Sequence, residues 1–227
     1  NIMRGKNPNH TGDEPYNFVL MYFSNMDDEG MTIWPTHRVV HSLNNFDETA
    51  FLDRCAEYFD IERFQFTEAD EQDKRKAFLE RLEKTGKGSV SIGLNMRSKD
   101  AYYVLVLKNA GIMEKVFGDQ IPDVFKALDV TVLHSLVLSR ILAITQEAQE
   151  KQQNLIYVKS YDEALSACRK YANQLAFLLN PTRIEQVKSV ALAGFVMPQK
   201  STYFYPKLLS GLVLNVQGNT EAAAAKV

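Results

Sequence analysis

The chain of 227 residues contains only two cysteines, Cys55 and Cys168. Each lies in a helix-like stretch and neither has the spacing of a metal-ligand pair, so buried reduced thiols are expected and a disulfide framework is excluded. Reduced cysteines are typical of the cytoplasm, which is the expected location. No apolar run approaches the roughly 20 residues that a membrane-spanning helix needs, so no membrane partner is expected.

The sequence also lacks an excess of either charge, with 26 basic and 28 acidic residues and a net charge of -2. This balance argues against a general polyanion binder, and acidic runs at residues 27–29 and 68–73 would repel a phosphate backbone. A nucleic-acid partner is therefore not expected. A local basic loop remains able to bind a small anion.

The common catalytic signatures are missing as well, since no GxxxxGK[ST], GxGxxG, GxSxG, HExxH or CxxC pattern occurs. The histidines are too scattered in the sequence to propose a metal site. His134 lies inside an apolar helical stretch, where we interpret it as a satisfied, partly buried histidine. The reaction class cannot be read from a motif of this kind.

Apolar periodicity and turn signals interleave strands with helices without a regular βα repeat, and they predict hairpins between residues 16–23 and 31–34 and between residues 89–96 and 101–108. This pattern predicts an α+β fold with a mixed or mainly antiparallel sheet or sheets and packed helices. The chain opens at Asn1 without an initiator methionine, so we expect a single C-terminal domain or fragment of a longer protein, residues 1–227, with possible sub-lobes 1–118 and 119–227. Strands are predicted at 16–23, 31–34, 61–66, 89–96, 101–108, 155–158, 174–179 and 212–216, and helices at 47–59, 67–84, 122–144, 161–171 and 183–193.

The segment from Met197 to Lys207, MPQKSTYFYPK, has the most unusual composition in the chain. Its two prolines fix φ and remove backbone donors, which predicts a shaped loop that is not helical. Lysine ammonium groups and Ser/Thr hydroxyls are suited to phosphate or carboxylate oxygens. The loop is therefore predicted to bind an anionic small molecule through Lys200, Ser201, Thr202 and Lys207.

Two further segments carry candidate site residues. His37 and Arg38 follow a predicted strand, where an imidazole proton donor beside a guanidinium would suit phosphate or carboxylate, although an ordinary turn is an equal alternative. Asn180 and Thr182 lie at a strand-to-helix junction, where free N–H groups favour an anion, although simple capping of the helix is the alternative.

These segments resemble one family. The stretches from Gly30 to Arg38, Phe177 to Thr182 and Met197 to Lys207, with Gly211-Leu212-Val213, are similar to the C-terminal half of the bacterial and archaeal domain of unknown function one-thousand-and-fifteen. The similarity extends from about Tyr16 to Val216. Full-length members carry an upstream Asp-Gly-His-His-Arg-Tyr motif that is absent from this sequence and that resembles one in the ParB/sulfiredoxin-like nucleotide-binding superfamily, which includes kinases for free serine.

The resemblance implies part of an enzyme that binds a nucleotide or another phosphate-containing small molecule and acts as a phosphotransferase, with ATP or ADP as the expected cofactor. Under this hypothesis His37 is the candidate catalytic residue, and the candidate phosphate-binding residues are Arg38, Asn180, Thr182, Lys200, Ser201, Thr202 and Lys207. The alternative is a non-catalytic module that senses an anionic metabolite or has a structural role.

Overall fold

The computed structural model describes residues 2–26, 28, 30–170, 173–207, 211 and 214. The chain divides into two compact units, one of residues 1–31 with 206–227 and the other of residues 32–205. The sub-lobe boundary predicted at residue 118 falls inside the second unit. The strand predicted at 212–216 lies outside the described residues, except for Leu214.

The first unit contains helix α1, Ile2–Lys6, and a 3₁₀ turn, Pro15–Asn17. The strand predicted at 16–23 is wrong, because residues 18–23 are exposed and form no strand, and no described strand pairs with them. An apolar run indicates a strand only where a neighbouring strand accepts its backbone hydrogen bonds.

The second unit is built on a six-stranded sheet in the order β3-β5-β4-β7-β2-β6, in which every neighbouring pair is antiparallel. The predicted α+β class with antiparallel strands is confirmed. A separate two-stranded sheet pairs β1 with β8, so the predicted pairing of residues 31–34 with 16–23 is wrong. The strands are β1 Thr32–Trp34, β2 His37–His41, β3 Phe59–Gln65, β4 Ser91–Met96, β5 Ala101–Leu107, β6 Leu155–Val158, β7 Asn173–Leu179 and β8 Tyr203–Tyr205.

Helices cover both faces of the large sheet. Most predicted helices are present with shifted ends, and Asp47 caps the helix that follows it by accepting a hydrogen bond from the Ala50 N–H at 2.9 Å. The helices of this unit are α2 Glu48–Ala56, α3 Glu71–Gly86, α4 Gly111–Phe117, α5 Asp123–Lys126, α6 Asp129–Thr131, a π-helix Val132–Ile141, α7 Gln146–Glu150, α8 Tyr161–Cys168 and α9 Ile184–Leu192, with a 3₁₀ turn at Gly118–Gln120.

The prediction of one continuous helix over residues 122–144 is wrong. Leu128 is buried and extended, which separates α5 from α6, and α6 then continues directly as the ten-residue π-helix. Periodicity along the sequence identifies the apolar face of such a segment, but it does not report a change from α to π winding.

Strand alternation assigns neighbouring residues of β2 to opposite faces of the sheet. Val40 packs into a core with residues of α2, α4 and the π-helix, whereas Val39 packs into a second core with residues of α3 and α8. His37 and Arg38 follow the same alternation. The two cores therefore separate the two side chains that the sequence places next to each other.

Candidate functional site

Arg38 extends from β2 toward the π-helix and is completely buried. Its Nε donates to His134 Nε2 at 3.1 Å, one Nη donates to the Thr36 carbonyl, and the other donates to the Lys200 carbonyl at 3.0 Å. The guanidinium also lies over the ring of Tyr157, 5.1 Å from the ring centroid. Burial lowers the pKa of Arg38 to about 10, a value that keeps it protonated at neutral pH.

His134 is held in one tautomer by its two neighbours. Its Nδ1 lies 2.7 Å from Gln149 Oε1, which can only accept, so Nδ1 carries the proton and Nε2 accepts from Arg38. The pKa of His134 is lowered to about 4, mainly by burial and to a smaller extent by the charge of Arg38. The imidazole is therefore neutral at physiological pH, and the interpretation of His134 as a satisfied, partly buried histidine is confirmed.

The loop that follows α9 is fixed against this buried group. Lys200 has a φ of +57°, a left-handed conformation that few residues other than glycine adopt. The Ser201 hydroxyl donates to the Pro198 carbonyl at 2.6 Å, and the Thr182 hydroxyl donates to the Ser201 carbonyl at 2.8 Å. Together with the bond from Arg38, these contacts fix the backbone at Lys200 while its exposed side chain forms no ion pair within the described part of the chain.

Asn180 organises a second polar group at the end of β7. Its Nδ2 donates to Ser91 Oγ at 3.0 Å and approaches Asp129 Oδ2 at 3.4 Å. Desolvation raises the pKa of Asp129 to about 7, against the opposing effects of Asn180 and Arg183. Gly86 leaves the space that the amide needs, because a Cβ at that position would lie 2.2 Å from Asn180 Nδ2.

A cavity of about 440 Å³ opens beside the buried arginine, and we call it the polar cavity. Val130, Thr131 and Gln149 are its buried lining residues and form its floor. Its exposed lining residues, which form the rim, are Gln120, Gln146, Glu150, Gln152, Gln199 and Lys200. Half-buried residues form the walls, namely Ile121, Pro122, Phe125, His134, Ser135, Ser139, Tyr157 and Pro198.

The structure brings several sequence-predicted site residues together. Arg38, Asn180, Thr182 and Ser201 line one recess, but its volume of about 10 Å³ is only enough for one water-sized group. Within this recess Arg38 and Thr182 are bonded to backbone carbonyls. Lys200 is the predicted residue that lines the polar cavity.

The remaining predicted residues lie elsewhere. His37 is buried on the opposite face of the sheet from Arg38, where its ring stacks on Tyr161 at 4.6 Å and its Nδ1 accepts the Leu179 N–H at 3.2 Å. The predicted pair of an imidazole and a guanidinium is therefore not formed. Thr202 is half-buried within the second unit, and Lys207 is exposed and belongs to the first unit.

Sequence reasoning missed Thr131, Ser135, Ser139 and Gln149. Thr131, Ser135 and Ser139 recur every four residues in an otherwise apolar helical stretch, and His134 is adjacent to Ser135. A polar stripe on an apolar helix was therefore the signal in the sequence that could have identified them. Gln149 gave no such signal, because it lies among other glutamines in a polar segment. Its role depends on contacts that join elements distant in the sequence.

The described residues contain neither a metal-binding cluster nor a membrane-spanning helix. No group of three or more His, Cys, Asp or Glu side chains in that part of the chain is arranged to hold a metal ion. Across the same residues, no helix has both the length and the apolar character needed to cross a membrane.

Comparison with solved structures gives distant similarities. A conserved hypothetical protein from Pyrococcus furiosus shares 16% identity with a TM-score of 0.42, over 80% of this chain and 59% of the other. A free serine kinase in complex with AMP shares 13% identity with a TM-score of 0.39, and a point mutant of it shares 14% with a TM-score of 0.41, each over 80% of this chain and 56% of the other. The chain thus spans less than three fifths of these structures, and TM-scores below 0.5 support no conclusion about function.

No curated protein matches the chain. A family model does match, over residues 1–131, which is more than half of the sequence, and it describes a protein of unknown function (DUF1015). The chain therefore belongs to the DUF1015 family.

Proposed function

We propose that the polar cavity binds a small molecule of nucleotide size that carries an anionic group, with ATP or ADP as the first candidates. The observation that supports this most strongly is the cavity itself, whose volume of about 440 Å³ lies within the range of roughly 300 to 1,000 Å³ of ligand sites. Its lining mixes aromatic rings with hydroxyl and amide groups, as sites for heterocyclic ligands do.

The charges of the lining favour an anion at the rim. Lys200 and Glu150 are the charged side chains of the described lining, and both are exposed. Glu150 accepts a hydrogen bond from Gln146 Nε2 at 2.9 Å, whereas the Lys200 ammonium has no partner in the described chain. Lys200 is therefore the group that we assign to the anion.

One wall of the cavity is preorganised. Arg38 bonds to both His134 and the Lys200 carbonyl, so one buried side chain fixes a histidine of the wall and the backbone of the rim lysine. A ligand that contacts this wall need not order it, and the entropy cost of binding is reduced accordingly. In this proposal Arg38 positions other residues and does not contact the phosphate itself.

For the reaction class we propose phosphoryl transfer, which depends mainly on positioning and on neutralisation of charge. Lys200 would neutralise one phosphate group. His37 receives no role in this proposal, since it lies on the other face of the sheet.

A non-catalytic metabolite sensor is the second candidate, and one observation favours it. Both nitrogens of His134 are engaged and its pKa is lowered to about 4, so this histidine cannot serve as a general base at neutral pH. A sensor would bind the nucleotide without turnover. An assay of ADP formation from ATP, with and without free amino acids, separates the two candidates.

Calorimetric titration with AMP, ADP and ATP tests the binding itself. We expect binding by the wild-type protein and an affinity about tenfold weaker in Lys200→Ala, which corresponds to the loss of one exposed charge-assisted contact of about 1.4 kcal/mol. Lys151→Ala is the matched control, because Lys151 is an exposed lysine near the rim that pairs with Glu147 at 2.6 Å and does not line the cavity. Absence of binding by the wild type, or equal effects of the two substitutions, would contradict the proposal.

A further inference from the structure

We infer that the floor of the polar cavity and the adjoining wall at Ser135 form a subsite for an uncharged polar group, in which the hydroxyls of Thr131 and Ser135 hydrogen-bond the ligand. This inference rests on the proposed function and narrows its ligand class. The ligand would carry a neutral hydrogen-bonding part at one end, such as the base or sugar of a nucleotide, and its anionic group at the other.

Thr131 supplies the first observation. The residue is 9% exposed, and its hydroxyl is buried without any hydrogen-bond partner. Within the described chain, His37 Nε2 is the other buried side-chain atom in this condition. A buried hydroxyl without a partner lowers the stability of the fold, so its presence beside a cavity points to a partner that binds there.

Two other polar groups of the cavity lining are already engaged. Gln149 Oε1 already accepts from His134, and its Nε2 donates to Ser139 Oγ at 2.8 Å and to the Ile144 carbonyl at 2.9 Å. Both nitrogens of His134 are engaged as well. The floor and its adjoining walls therefore contain saturated groups that hold the shape, beside hydroxyls that remain unused.

Ser135 extends the subsite. It lies four residues after Thr131 on the same continuous helix, lines the same cavity, and makes no hydrogen bond through its side chain within the described chain. The Thr131 hydroxyl is buried in the present rotamer. Threonine in a helix has two accessible χ1 rotamers, and in this inference the ligand selects the one that turns the hydroxyl toward the cavity, with little change in volume. Two hydroxyls one turn apart can each donate and accept a hydrogen bond.

The surroundings of the two hydroxyls exclude a charged group. Val130 lies on the floor beside Thr131, and Ile121, Pro122 and Phe125 line the walls. The charged lining residues, Glu150 and Lys200, are exposed at the rim. A charge buried without a partner is strongly unfavourable, so the anionic end of the ligand remains at Lys200 and the neutral end enters the floor.

Thr131→Val tests the inference, because valine preserves the shape and removes the hydroxyl. We expect the melting temperature of the unliganded protein to rise by about 2 °C, since an unsatisfied buried group is removed. In the same variant, AMP and ADP should bind about tenfold more weakly than to the wild type. Thr131→Ser, which keeps the hydroxyl, should bind both nucleotides within about threefold of the wild type.

The outcomes distinguish a failure of the proposed function from a failure of this inference alone. Failure of the wild type to bind AMP, ADP or ATP would overturn the proposed function and this inference together. Nucleotide binding that is weakened by Lys200→Ala but unchanged by Thr131→Val would overturn the inference alone. A lowered melting temperature in Thr131→Val would also overturn it, since the hydroxyl would then be part of the fold and not of a ligand site.

Discussion

At the scale of single residues, Arg38 is a cation that the sequence predicts as a phosphate ligand and that the fold uses to hold other residues in place. A guanidinium is the expected side chain for phosphate, and the sequence places it beside one other candidate residue, His37. In the fold its donors end on His134 and on two backbone carbonyls, all of them neutral acceptors. The sequence reports the type of side chain at each position but not the acceptors that the fold brings to it, so the chemistry of Arg38 was predictable and its partners were not.

The buried His37 and the half-buried His134 predict how stability depends on pH. Burial is the main cause that lowers the pKa of His37 and His134 to about 4 from the ordinary 6.5. Between these values the unfolded chain binds a proton at each histidine that the folded chain does not, so this contribution to stability is complete above about pH 6.5 and is lost as the pH falls toward 4. Asp129, with its pKa raised to about 7, opposes part of this trend because its folded form holds a proton that the unfolded form releases.

His134→Gln isolates one of these groups, because glutamine retains a polar side chain without titrating. As the pH is lowered from 6.5 to 4, we expect the free energy of unfolding to decrease more in the wild type than in the variant. The difference should grow by up to about 1.4 kcal/mol for each pH unit. Urea unfolding at several pH values measures this difference. A difference between the two proteins that stays constant from pH 7 to 4.5 would show that His134 is protonated equally in both states.

At the scale of elements, strands and helices with a regular apolar pattern could be predicted from the sequence, whereas irregular helical winding could not. The hairpin of β4 and β5 was predicted from two apolar runs around a polar turn, and its strands are paired as expected. The π-helix was not predictable, since its sequence satisfies an α-helical pattern equally well. This winding nevertheless matters for the site, because the π-helix carries His134, Ser135 and Ser139 to one cavity.

The end of α3 provides a test of element packing. In Gly86→Ala the new Cβ would lie 2.2 Å from Asn180 Nδ2, so the amide must rotate away from Ser91 and Asp129. We expect the free energy of unfolding to fall by about 1–2 kcal/mol. In an Asn180→Ala background the obstacle is absent, and the same substitution should be neutral or stabilising by up to about 1 kcal/mol through helix propensity. A double-mutant cycle by chemical denaturation measures both values, and equal effects in the two backgrounds would refute the contact.

At the scale of the whole molecule, sequence patterns predicted the fold class but not the location of the site. The α+β class followed from the mixture of hairpins and helices, and the antiparallel sheet confirms it. The polar cavity combines residues from the segments 120–125, 130–139, 146–152, 157 and 198–200, which no local motif connects. The loop at Met197–Lys207 was identified by its composition, and through Lys200 it is the part of the predicted site that reaches the cavity.

A second surface cavity provides an internal reference for any binding experiment. Arg54, Glu57, Tyr58, Arg140 and Ile141 line a cavity of about 340 Å³, whose two arginines attract anions without specificity and whose single carboxylate opposes them in part. One donor of each arginine has a partner there: Arg54 Nη2 bonds to the Arg140 carbonyl at 2.9 Å, and Arg140 Nε bonds to the Tyr58 hydroxyl at 3.4 Å. A ligand that binds by charge alone would affect this cavity as readily as the polar one.

The most direct test of the central claim is a titration of isotope-labelled protein with ADP, followed by NMR chemical-shift changes at backbone amides. The account predicts saturable shifts at residues 130–135, Tyr157 and 199–200, with shifts at Arg54, Tyr58 and Arg140 no larger than the average over the chain. Largest shifts around Arg54 and Arg140, or no saturable shift in the residues that line the polar cavity, would contradict it.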